Sequence, residues 1–455
     1  MSFDPYLAEI RFGTGLSPNA APPASSDAIL AALRGPDLAA EAFPIPLFSE
    51  AEPRLKLLRR QAAMRRESDA AMERFAASRN QASAVHQNNF RRILTRGVRT
   101  HDGFRERLTA FWANHFALRA KIGLMNHLVT PFVEEAIRPN ITGRFADLLK
   151  AVATHPMMVI YLDQGQSVGP GSPFGTRTGR GLNENLAREL LELHTLGVGN
   201  SYDQSDIRQL AELLTGLSWD DTEGRVFQTN WAEPGSETVL GRTYSDDGSL
   251  ETIFAALEDI AAHPSTAHHI ATKIARHFVS DTPSTSLIEA MAAAYSANGT
   301  DLMSVYSALL DHPDAWLRYG IDAPVRNKAR THQDWVQAAL RALDIALVDV
   351  APDVARTYVL QRLRLMGQPW EQPPGPDGWP EEAEAWVTPP AMAARVTWAM
   401  QAPSFLMADL PDPRDFVAIA LGPFAPPEVK FAAGAAENRA AGIGMVLCSS
   451  AFQRR

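Results

Sequence analysis

The chain has 455 residues, 45% of them hydrophobic and 21% charged, with a net charge of −9 and a pI near 5.8. That length supports a large core or roughly two to three domains. The acidic balance argues against a nucleic-acid binder, which needs a basic face to displace counterions. The single cysteine, Cys448, excludes an internal disulfide and a cysteine-based metal site. The opening MSFDPYLAEIRFG has neither a basic n-region nor an apolar h-region. No run of about 18 apolar residues occurs. The expectation is therefore a cytoplasmic protein with no membrane insertion, and co-export with a partner is left open.

Residues 1–50 are rich in proline and alanine, and Pro22, Pro23, Pro36, Pro44 and Pro46 keep any helix short. This part reads as an N-terminal wrap around a single large helical domain over 51–455, with a sub-domain break expected near 320–330. Glu50 to Asn80 reads as a charged helix or helix pair, and His86 to Arg99 and Phe104 to Lys121 as further helices. In the last of these, Leu108, Phe111, Trp112 and His115 share one apolar stripe, which turns His115 inward. Asn114 lies beside it.

A His-Pro pair recurs between helical runs, at His155, His263 and His312. Proline suits the first turn of a helix and forces an extended residue before it, so these histidines read as helix punctuation. Asp163 leads into a Gly/Ser/Pro loop over 165–181, unusually long for a compact domain. The loop lacks the phosphate-cradling G-x-x-x-x-G-K-[ST] pattern. Residues 224–245 hold the best strand candidates, Val226–Phe227 and 238–240, flanking Glu233-Pro234-Gly235 as a small hairpin. The segment 366–390 is too proline-dense for helix; Trp370, Trp379 and Trp386 either anchor it or form a binding surface. The fold class is mainly α: a multi-helix body with one small hairpin and long Pro/Gly-rich loops.

The stretch GLNENLARELLELHTLGVG, residues 181–199, stands apart. Asn183 suits an N-cap and Gly197 and Gly199 a stop, predicting a helix of about fourteen residues over 183–196. Leu186, Leu190 and Leu193 fall on one face, with His194 beside it. Asn185, Arg188, Glu189 and Glu192 form a polar stripe. One reading is a solvated face with Glu184–Arg188 and Arg188–Glu192 pairs worth roughly 0.2–0.5 kcal/mol each. The other is an inward polar network in which a carboxylate serves as acid, base or metal ligand. Neither the Glu-x-x-His of di-iron bundles nor HExxH is present.

These runs, with FWANHF, THPMMVIYLD, LTGLSW, TVLGRTY, HPSTAHHIATKIARHFVSD and GQPWEQPPGPDGWP, recur in order in a bacterial family. Over nearly its whole length the chain resembles the domain of unknown function 1800. The resemblance implies a mainly helical fold and no established activity. It implies a genomic neighbour, the domain of unknown function 1501 family, which is similar to phosphatases and sulfatases. The signature positions map onto His115, Asp163, Asn183, Glu184, Asn185, Arg188, Glu189, Glu192 and His194. Related sequences carry His-Glu-Pro-Gly in the hairpin; here Ala232 stands at the histidine position.

Two functions follow as expectations. The first is a partner, assembly or export factor for a phosphatase/sulfatase-like protein, with Asn114, Asn183, Glu184, Asn185 and Arg188 as a binding or structural network. The second is a hydrolase built on helix 183–196, with Glu189, Glu192 and His194 as catalytic groups. In a metal-dependent version His115 and Asp163 would ligate a divalent cation. The residues name no other cofactor.

Overall fold

The computed structural model describes residues 3–317 and 328–455. The break expected near 320–330 falls mostly on 318–327, outside the described residues. The architecture is mainly α, with only short two-stranded antiparallel pairs beside the helices. Among the described residues no helix is long and apolar enough to cross a membrane.

Two apolar clusters organise the helices. The first gathers Leu7, Phe12, Leu30, Phe104, Trp112, Phe145, Leu190, Ile274 and Tyr306, from elements between Pro5 and Trp316. The second is built from the end of a long helix, at Phe90, Leu94 and Val98, and from Trp335, Trp398, Phe416, Ile443 and Phe452. That long helix runs Asp69–Arg99 without interruption. No glycine or proline lies between Asn80 and His86, so nothing breaks it where the sequence reading separated two helices. Two large polar rings inside the first cluster satisfy one another. Trp112 Nε1 donates to Tyr306 Oη (2.8 Å), whose hydroxyl donates to the Ile141 carbonyl (3.0 Å).

The His-Pro pairs do cap helices. The Nδ1 atoms of His155, His263 and His312 accept from the backbone N–H two residues on, at 3.1, 3.1 and 3.2 Å, each with proline at the first helical position. An imidazole nitrogen here takes the part an Asp or Ser oxygen usually plays.

The strand pairing differs from a single hairpin turning at Glu233–Gly235. Leu217–Asp220 pairs with Gly224–Phe227, and Thr238–Val239 pairs with Arg242–Thr243. The first turn is made by Asp220, whose Oδ1 accepts from Thr222 N–H (2.7 Å), and closes on Gly224 at φ 74°. The second turns at Leu240 and Gly241, both at positive φ, as a two-residue hairpin loop requires. The Glu-Pro-Gly stretch links the two hairpins.

Candidate functional site

The middle helix is split. Asn185–Glu189 is α-helical, and Leu190–His194 is a π turn. Asn183 forms a local turn, its Oδ1 accepting from Asn185 N–H (2.9 Å), in place of the expected N-cap. A π turn adds a residue per turn, which swings the carbonyls at its end out of the helical ladder. Three side chains and one backbone group collect them. Thr195 Oγ1 donates to the Leu190 carbonyl (2.6 Å), His269 Nε2 to Leu193 (3.2 Å) and His115 Nε2 to His194 (3.1 Å). Gly197, at φ 90°, returns its N–H to Leu191 (3.1 Å).

His115, His194 and His269 thus meet, with the His115 ring 6.0 Å from that of His194 and 6.4 Å from that of His269. Burial, then the Lys273 ammonium, holds His115 well below the usual imidazole range, His194 at about 3 and His269 at about 4. All three are neutral at physiological pH. His115 Nδ1 and His194 Nε2 are buried without hydrogen-bond partners.

The polar stripe of the same helix faces outward. Arg188 pairs with Glu184 (3.1 Å) and Glu192 (3.4 Å), all three side chains being partly exposed. Gln204 joins them, donating to Glu184 Oε2 (3.0 Å). These are the solvated i,i+4 pairs of the first reading. Glu189 is half-buried, and burial followed by the charges of Glu192 and Asp377 raises its pKa. Asp163, in a left-handed conformation, pairs with Lys121 at 2.5 Å. His115 and His194 are brought together; Asp163 is not drawn into their cluster by any of these contacts. Among the described residues no group of three or more His, Cys, Asp or Glu side chains is placed to hold a metal ion.

A second site escaped the sequence reading. A cavity of about 200 Å³ lies at the seam between the two cores. Its walls come from stretches far apart in the chain. They include Leu94 of the long helix, Ala113 and Phe116 of the Gly103–His115 helix and its continuation, Phe132, and Trp370 with Trp379 of the Pro/Trp-rich segment. Asn114 fastens that segment: its Oδ1 accepts from Trp379 N–H (2.7 Å), and its Nδ2 donates to the Trp379 carbonyl (3.1 Å).

Polar groups in this lining are strained or short of partners. Glu371 sits at φ 55°, unusual for a residue with a side chain. Its Oε1 accepts from Thr130 Oγ1 (2.5 Å), and its Oε2 lies 3.3 Å from His86 Nδ1. Burial would lower His86, but Glu371 outweighs it and raises the imidazole pKa. The indole N–H of Trp370 is buried without an acceptor. The floor is ionic: Arg138 is gripped by Asp37 (2.6 Å) and Glu106 (2.5 Å), and Arg107 pairs with Asp334. No single stretch of sequence carries this pattern. The tryptophans were its one legible signal, and they both anchor the segment and line the space.

A family model described as protein of unknown function (DUF1800) matches residues 10–454. The chain belongs to this family. No curated protein and no solved structure matches it. The span matched to DUF1800 contains the 183–196 stretch and both strand pairs.

Proposed function

We propose that this DUF1800 protein acts by binding, as a partner or assembly factor for a phosphatase/sulfatase-like protein of the domain of unknown function 1501 type, and that the seam cavity receives an apolar side chain of that partner. The cavity carries the reading. A cavity of 150 Å³ holds benzene, so about 200 Å³ suits one inserted aromatic side chain. Buried aromatic anchors in pockets carry much of the energy of protein interfaces. The unpaired Trp370 N–H offers such an anchor one polar contact. The test is co-expression with the neighbouring phosphatase-like protein, wild type against Ala113→Trp, which fills the space. A complex lost on filling, with the variant still folded, is expected. Failure of the two wild-type proteins to associate at micromolar concentration sinks the partner role; an unaffected complex removes the cavity from it.

One observation favours a carboxylate-based hydrolase as the second reading. Burial, then the charges of Glu192 and Asp377, raises the Glu189 pKa, and among the described residues its carboxyl makes no hydrogen bond or ion pair. A half-buried carboxyl tuned upward is the usual form of a general acid. In this reading Glu189 would exchange the proton and Glu192, paired with Arg188, would supply the second carboxylate. Loss of ester or phosphoester turnover in Glu189→Gln, with unchanged melting, would support it. Equal activity in wild type and variant would end it.

A further inference from the structure

Beside the seam cavity, on the far side of the Arg107–Asp334 pair, lies a small cavity of about 20 Å³. Arg107, Arg330 and Arg455 all line it, with Asp334 the single acidic side chain among its walls; the remaining lining includes Gly13, Gly15, Thr14 and Gln337. The three arginines are buried, each no more than 7% exposed. Each keeps a buried N–H with no hydrogen-bond partner: Arg107 Nε, Arg330 Nη1 and Arg455 Nε.

The other donors of Arg107 and Arg455 are spoken for. Arg107 reaches Asp334 Oδ1 and, through Nη2, His277 Nε2 (3.1 Å). Arg455 Nη1 donates to Asp334 Oδ2 (2.8 Å) and Nη2 to the His277 carbonyl (3.1 Å). Arg330 stacks its guanidinium over the Phe452 ring at 4.7 Å and has no carboxylate within ion-pair distance among the described residues. Burial, opposed by Asp334 and reinforced by Arg107, lowers Arg330 to about 10, so it stays charged at neutral pH.

Three guanidinium charges therefore share one acidic side chain at close range, Asp334, with Glu381 reaching only Arg455, at 3.8 Å. Arginine cannot relieve the imbalance by losing its proton, and an uncompensated buried charge is among the costliest features a fold can carry. The surroundings do not correct it. Arg395 adds a further cation, its Nη2 donating to the Arg330 carbonyl (2.7 Å). Glu381 Oε2 lies 3.8 Å from Arg455 Nη2, but this carboxylate is shared with His277 (2.7 Å) and Lys328 (3.2 Å), and Asp281 is taken by Lys328 (2.7 Å).

We propose that this cavity is a binding site for a monatomic anion of chloride size, held by Arg107, Arg330 and Arg455. A space of about 10–15 Å³ admits one water-sized particle, so 20 Å³ takes one halide and is too small for a tetrahedral oxyanion. A water molecule would accept from at most two of the three donors and would need acceptors for its own hydrogens, where Asp334 is already bound by both Arg107 and Arg455. A halide accepts from all three and removes one unit of excess charge. The site ties four chain segments together: the 13–15 loop, the Gly103–His115 helix, the stretch around Arg330 and Asp334, and Arg455. Halide binding would therefore stabilise the seam.

The test is melting of the full chain in sodium chloride, bromide and gluconate at fixed ionic strength, with diffraction from bromide-grown crystals at the bromine edge. The expected result is an anomalous peak among the three guanidiniums and a melting rise of about 2–4 °C on adding about 100 mM halide but not gluconate. Arg330→Gln should abolish the halide-specific part of the rise. Should that variant fail to fold, the wild-type series and the bromide peak decide alone. A water in the cavity with no anomalous signal, or the same rise from gluconate, overturns the proposal.

Discussion

The His115 imidazole donates from Nε2 to the carbonyl oxygen of His194, 3.1 Å away, at the point where the middle helix leaves its π turn. The bond fixes the tautomer of His115, and it explains why a histidine sits among Phe111, Trp112 and Phe116. His115→Phe keeps the ring volume and deletes the donor. The carbonyl would then be buried unpaired, at a cost of about 1–3 kcal/mol. Urea unfolding of the variant measures this. An unchanged midpoint would show that the carbonyl finds water and that the imidazole has another purpose.

Acid should expose the buried histidines as a group. Burial, aided by Lys273, Arg225 or Arg395, holds His155, His194 and His332 at about 3 and His269 at about 4. In the unfolded chain each titrates near 6.5. The unfolded state therefore binds more protons, and stability rises with pH through this interval. The contribution is complete above pH 6.5 and is lost as pH falls toward 4 and then 3. Each histidine should cost about 1–2 kcal/mol between pH 6.5 and 5. Glu381 acts lower: burial pushes it up, but His277 and Lys328 outweigh that and hold it at about 2, so its share is lost only below about pH 4.5. Denaturant midpoints at pH 7, 6 and 5 check the prediction, and a flat curve across that range contradicts it.

Much of this fold is legible in the sequence because its signals are local. The His-Pro caps at His155, His263 and His312 need only a proline and the nitrogen before it. Inward His115 follows from a stripe of Leu108, Phe111 and Trp112. The Arg188 pairs follow from i,i+4 spacing. The π turn is not legible, since Asn185, Arg188, Glu189 and Glu192 keep α spacing almost to its end, and it is the distant His115 and His269 that satisfy its carbonyls. The seam cavity is hidden for the same reason: Leu94, Phe132, Gln333 and Trp370 become neighbours only when both cores have formed. The buried arginines are hidden too, because composition counts an arginine as surface.

Arg341 is one of those. It is 2% exposed, and its Nε donates to the Gly15 carbonyl (2.7 Å). Its Nη1 serves Gly97, Val98 and Thr100 (3.0, 3.0 and 2.9 Å), the last carbonyls of the long helix. Nη2 lies 3.3 Å from Glu9. A cation at a helix C-terminus meets the negative end of the dipole. Arg341→Met should cost about 3–5 kcal/mol, leaving Glu9 and several carbonyls unpaired. Arg341→Lys should recover only part of it, because an ammonium cannot fork across carbonyls this far apart. Equal unfolding midpoints for the two variants would show that charge alone matters.

The Asn114 clamp predicts a local effect. The carboxamide binds Trp379 through both its N–H and its carbonyl, as a neighbouring strand would, and it is the hold of the Gly103–His115 helix on a segment with no regular structure of its own between Met366 and Ala383. Gly378, at φ 80°, lets the chain pass close to the Asn114 carbonyl; a methyl group there would collide with it. Asn114→Ala removes both bonds while leaving the apolar faces of the helix intact, so the global midpoint should fall by only about 1–2 kcal/mol. The stretch between Glu371 and Glu381 should open far more often, since those two carboxylates are its neighbouring tethers and Asn114 is what holds Trp379 between them. Limited proteolysis should therefore cut the variant within 367–388 at least several-fold faster than wild type. Gly378→Ala should give the same cleavage pattern by the opposite route, pushing the segment off. If both variants resist protease as wild type does, the tryptophans and the Glu371 and Glu381 tethers secure this wall, and the cavity behind it is more rigid than the clamp implies.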